Sequence, residues 1–196
     1  MASKTAPKTA QKSNQRQPVR QSITLELVRA LTPSETKAET MASTFGLEPV
    51  HHAGIREKVE EHMVRIANEL RDNLNDKAMA MFLQRIVGSF VQAAHGAAIF
   101  YGKKKSEAMA LHNKLLNDHR DEDRDGVIGF ESRADRAASF AAEMGLQASS
   151  LLAAAEGAVY AYVHMTGDDW KPYEGTQSSG SVERKASEAQ MAALAD

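Results

Sequence analysis

The densest chemistry in the sequence lies in the run 121–132, Asp-Glu-Asp-Arg-Asp-Gly-Val-Ile-Gly-Phe-Glu-Ser. Asp121, Asp123 and Asp125 alternate, Gly126 permits a sharp turn, and Ile128 offers an apolar anchor. Carboxylates spaced in this way can wrap a hard cation in oxygen ligands, as calcium requires. The twelfth position normally supplies two of those oxygens from one glutamate. Here it is Ser132, and Glu131 comes one residue early. The same residues also read as a polar turn between helices, with aspartates close to a helix N-terminus.

The histidines carry less. His51 and His52 are neighbours, and neighbouring side chains point apart on a helix or a strand. His112 and His119 are seven apart and can share a face near Asp121, either as metal ligands or as two ordinary surface residues. His95 and His164 fall on apolar faces and are expected as hydrogen-bonded core histidines. There is no cysteine, so disulfides and thiolate metal sites are excluded. No phosphate loop, dinucleotide fingerprint, serine elbow or His-Glu-x-x-His motif occurs. A protein that is not an enzyme, with no cofactor and no small-molecule substrate, is the expectation.

The charge is unevenly spread. Residues 1–21 hold Lys4, Lys8, Lys12, Arg16 and Arg20 and no acid, which leaves nineteen basic against twenty-six acidic residues in the remainder. A basic arm on an acidic body can capture an anionic partner, or it can simply aid solubility. The arm is rich in Lys, Gln, Ser, Thr and Pro and cannot bury enough surface to offset the entropy of ordering, so disorder is expected. Its charges recur every four residues, which drifts only about 40° per step on a helix. Pro7 and Pro18 oppose a single continuous helix.

The elements that must position these groups are helical. Ile23, Leu25 and Leu27 alternate with polar residues and suggest a short N-terminal strand. Thr32-Pro33-Ser34-Glu35 reads as a helix start, with Thr32 as cap and Glu35 closing a capping box. Gly46 suits the end of that helix. A long amphipathic helix follows, carrying Ile55, Val59, Met63, Ile66, Leu70 and Leu74, with a break at 73–76. Residues 77–101 form the most apolar helix, Gly102 and Lys103–Lys105 suit its C-terminus, and 106–120 gives another. Its polar residues Gln84, Arg85, Gln92 and His95 mark the segment as a buried helix rather than a membrane span. Beyond the acidic loop, 132–144 and 147–165 are helical, with a buried stripe from Phe140 through Leu151, Val159 and Val163.

The fold class expected is therefore mainly α, a bundle of four to five long helices with a possible short N-terminal strand. Its divisions are a disordered basic tail over 1–21, a helical domain over 22–174, a flexible linker over 175–182 and a weakly helical tail over 183–196.

Three resemblances bear on function. The loop Asp121, Asp123, Asp125, Gly126, Ile128 resembles an EF-hand calcium site that lacks its glutamate clamp. A basic arm, a strand and two helices is the order of ribbon-helix-helix regulators; that likeness implies base contacts from Thr24 and support from Arg29, whereas an extended segment lying on the bundle is the other reading. The words Met144-Gly145-Leu146-Gln147, Glu156-Gly157-Ala158-Val159 and Trp170-Lys171-Pro172-Tyr173 resemble small helical accessory proteins of plasmids and integrating conjugative elements. That resemblance covers the C-terminal half and implies DNA-related work. The leading expectation is a bacterial, cytoplasmic, homodimeric DNA-associated accessory or regulatory protein of a mobile element. Its phosphates would be bound by Lys4, Lys8, Lys12, Arg16 and Arg20, with Thr24 and Arg29 closer to the bases. The rival is a helical protein–protein interaction module without nucleic acid, and the third class is a weak calcium-binding protein.

Overall fold

The computed structural model describes residues 22–118 and 124–172, with side chains for 22–115 and 133–172. Five helices follow in order: α1 (Leu25–Leu31), α2 (Glu35–Thr44), α3 (His52–Leu70), α4 (Asp76–Asp118) and α5 (Arg124–Thr166). They form a helical bundle built on the α4–α5 hairpin, against which α1, α2 and α3 pack.

Where alternation suggested a strand, the chain turns into α1. The Thr24 hydroxyl accepts a hydrogen bond from the Leu27 amide at 3.2 Å and caps the helix. Leu25 and Val28 are then one turn apart and both are buried. In so short a segment both periods fit the apolar residues, and the cap together with the apolar seat under Val28 decides for the helix. Thr32 does not start α2 but ends α1: its amide and its hydroxyl both donate to the Val28 carbonyl. Ser34 is the cap of α2, accepting from the Lys37 amide.

The end of α2 follows the expectation for Gly46. It stands at φ 68°, the Gly46 amide donates to Ser43 and the Leu47 amide to Ala42. This is the paired bonding of a Schellman motif, which satisfies carbonyls left over at the helix end. Leu47 packs beside Ala42, Ala38 and Leu146, seating α2 on α5.

The helix expected to stop at Gly102 runs on. α4 is 43 residues long, about 65 Å. A helical glycine costs only about 1 kcal/mol, and the facing α5 supports the helix on both sides of Gly102. The Ser106 hydroxyl also donates back to the Gly102 carbonyl. α5 is likewise continuous, through Gly145, to a left-handed Gly167 at φ 74°. Its buried side is largely alanine, including Ala148, Ala155, Ala158 and Ala161, and it faces Leu83, Val87, Val91, Ala94 and Ala98 of α4. Small side chains on one helix bring the two backbones close. Phe140, expected in the buried stripe, is 40% exposed, its ring edge-on to Phe100 with Lys104 over both. After Gly167 the chain is stitched to α4. The Trp170 indole donates to the Gln84 carbonyl, and the Gln84 amide donates to the Lys171 carbonyl. No helix among the described residues is long and apolar enough to cross a membrane.

Candidate functional site

Four charged side chains from four helices meet beside a groove. Arg29 of α1 donates to Glu156 of α5 at 2.8 Å. Arg56 of α3 donates to the other oxygen of Glu156 at 3.1 Å and, through both terminal nitrogens, to Glu35 of α2. The hydrogen bond from Arg56 holds the Glu35 carboxyl below its ordinary value and raises the guanidinium in turn. The groove, about 500 Å³, has Leu25, Val159 and Val163 as apolar lining, and Glu57, Glu60 and Tyr160 stand along it. Both arginines already have a carboxylate, so the network joins the four helices.

A second cluster has the composition of a hydrolase triad. His52, only 3% exposed, places Nε2 2.9 Å from the Ser149 hydroxyl. Its Nδ1 lies 3.5 Å from Glu39 and 3.9 Å from Glu35. The chemistry of a triad is nevertheless missing. Ser149 is 2% exposed, and its hydroxyl lies within hydrogen-bond distance of both the Leu146 carbonyl, at 2.9 Å, and His52 Nε2. The direction of the bond to His52 follows the imidazole tautomer, and Nδ1 is buried without a hydrogen-bond partner among the described residues. Ser149 stands inside α5, where backbone amides are engaged in the helix and cannot form an oxyanion hole. The groove does not reach it. Ser149 and His52 act as a polar pin between α3 and α5.

The residues singled out from the sequence fall as follows. Thr24 is spent on the α1 cap and also bonds to Glu26, whose carboxyl is lowered first by its backbone hydrogen bond and then by Thr24. Arg29 is paired with Glu156. Neither lies on a strand. Lys4, Lys8, Lys12, Arg16 and Arg20 lie outside the described residues, as do Asp121, Asp123 and the segments 175–182 and 183–196. Asp125 falls in the first turn of α5, whose helical backbone continues through Gly126 and Ser132. His95 is partly exposed and His164 exposed, stacked on Tyr160; the core histidine is His52. The one sequence signal for it was its place two residues before Gly54, where the chain re-enters a helix. No group of three or more metal-ligating side chains is assembled among the described residues.

No family model, curated protein or solved structure matches this chain.

Proposed function

We propose that this chain is a non-catalytic helical interaction module that binds another protein through the outward face of α4. One observation carries the reading. Met81, Phe82, Ile99 and Phe100 share that face and are between 36% and 43% exposed. They stand as two apolar pairs about 25 Å apart along α4, with Arg85, Ser89 and Gln92 exposed between them, so a partner that covers both must lie along the helix. The sealed Ser149–His52 pair and the satisfied arginine network support a role without chemistry. The test is the double substitution Ile99→Asp with Phe100→Asp. Helicity by circular dichroism should be unchanged, while the assemblies formed by the full chain, alone or with its native partners, are lost. Assemblies of unchanged size in the double variant would overturn the reading.

A second reading has its own observation. Five basic residues and no acid in 1–21 make a phosphate-binding arm. It fits a DNA-associated accessory protein of a bacterial mobile element, cytoplasmic, with the resemblance of the C-terminal half in its favour. Thr24 caps α1 and Arg29, half exposed, is bonded to Glu156, so in this reading either would have to exchange that partner for DNA. Contact with five phosphates implies that log affinity falls with log salt at a slope of roughly −4 to −5. Electrophoretic titration of the full chain at several salt concentrations measures this, and absence of duplex binding at low salt would remove the reading.

A further inference from the structure

We infer that the groove between α1, α3 and α5 is the docking site of the chain's own segment 16–21, the end of the basic arm nearest the bundle. The groove lies where that segment joins the fold. Leu25, three residues on from Ser22, where the described chain starts, is itself part of the lining. From Ser22 back to Arg16 the extended chain spans about 20 Å. The wall of the groove on α5, from Glu156 to Val163, is about 10 Å long. The segment is therefore long enough to turn back and lie along it.

The lining matches this segment in charge and in apolar content. Glu156 and Glu35 are taken up by Arg29 and Arg56. Glu57 and Glu60 are not: they stand one turn apart on the α3 wall, and among the described residues neither has a hydrogen bond or an ion pair. Leu25, Val159 and Val163 supply the apolar surface, and Tyr160 beside them is 60% exposed, more than any other large apolar side chain described. The segment reads Arg-Gln-Pro-Val-Arg-Gln, so Arg16 and Arg20 flank Pro18 and Val19 and no acid opposes the fit. Val19 is also the one branched aliphatic residue in 1–21, which singles out this part of the arm for an apolar seat. Docked, Pro18 and Val19 cover the apolar surface while the two arginines reach Glu57 and Glu60. A tether this short gives the segment an effective concentration of about millimolar, so two exposed ion pairs and a small apolar contact are enough to hold it. The contact rests on neither reading of function. In the DNA reading, phosphate has to compete with Glu57 and Glu60 for Arg16 and Arg20.

Trypsin tests this in the full chain, which carries its own reference site. Cleavage after Lys12 reports the arm beyond the groove, and cleavage after Arg16 and Arg20 reports the docked segment. In the parent, Arg16 and Arg20 should be cut about tenfold more slowly than Lys12, because cleavage follows the undocked population. Glu57→Gln with Glu60→Gln should remove that difference while helicity by circular dichroism is unchanged. Raising the salt concentration on the parent, which alters no residue, should narrow it as well, since exposed ion pairs are screened. Equal rates at the three sites in the parent would overturn the inference. Protection that survives both the paired substitution and high salt would overturn it too, because the bundle would then shield the segment without the two glutamates. Protection that is lost on dilution would put the segment in the groove of a second copy, and docking within one chain would be wrong.

Discussion

Gly157 of α5 lies against the backbone of Arg56 in α3: a β-carbon at Gly157 would stand 2.6 Å from the Arg56 carbonyl oxygen and 2.9 Å from its α-carbon. This close crossing brings Glu156 within reach of Arg56, and through it ties α2 and α1 to the hairpin. Backbone atoms cannot turn aside as a side chain does. Gly157→Ala therefore destabilises by about 1–2 kcal/mol even though alanine is the better helix former, because overpacking outweighs propensity. Thermal unfolding checks this, and a variant as stable as the parent would show that the crossing has slack.

Gly96 gives the opposite case, with open space where its side chain would be. Gly96→Ala should therefore stabilise the chain by about 0.5–1 kcal/mol. Denaturant titration measures this, and a loss of stability would mean that something packs on Gly96.

The bundle was legible because its signals are periodic and long. The apolar series Ile55, Val59, Met63, Ile66 gave α3, and Gly46 gave the end of α2 together with its bonding. The missed features were local signals overruled by packing, or packing with no local signal. Alternation at Ile23, Leu25 and Leu27 also fits two turns of helix, and burial of Val28 chose between them. Gly102 looked like a terminus only when α5 was out of view. The pairing of His52 with Ser149 spans 97 residues and leaves no mark on the spacing of either.

The His52–Ser149 pair leads to a two-part expectation. Ser149→Ala removes the hydrogen-bond partner of a buried imidazole nitrogen and should cost about 1–3 kcal/mol. Ser149 should not react with a fluorophosphonate probe, because it is 2% exposed inside α5 and the groove beside Glu156 does not reach it. Labelling that disappears in Ser149→Ala would show the serine to be a nucleophile and would move the chain among the hydrolases.

Glu35 sets a dependence on acid. Arg56 bonds its carboxylate and holds the folded-state value below the ordinary 4.5. The unfolded chain therefore takes up this proton first as pH falls. The contribution is complete above 4.5 and is lost progressively below it, through the depressed folded value. Both side chains are partly exposed, so the effect is modest and screened by salt. In Glu35→Gln, stability should fall less steeply between neutral pH and acid than in the parent. Parallel unfolding curves for the two proteins across that range would show that Arg56 stabilises Glu35 no better than water does.

The acidic run can be judged by ligand count. Asp121, Asp123 and Asp125 supply carboxylates, but the twelfth residue, Ser132, offers one neutral oxygen where calcium sites have a bidentate glutamate. The backbone from Arg124 onward is α5, so Gly126, at the turn position of such a loop, lies in a helix. Calcium affinity should be no tighter than about millimolar, too weak to respond to cytosolic calcium. Calorimetric titration of the full chain measures it. Ser132→Glu should strengthen binding only if the loop can leave the helical path, so an unchanged affinity would trace the weakness to the helix and a gain would trace it to the missing clamp. Micromolar binding by the parent, abolished in Asp121→Ala, would mean that another carboxylate such as Glu131 completes the shell, and a calcium switch would then displace the interaction module as the leading reading.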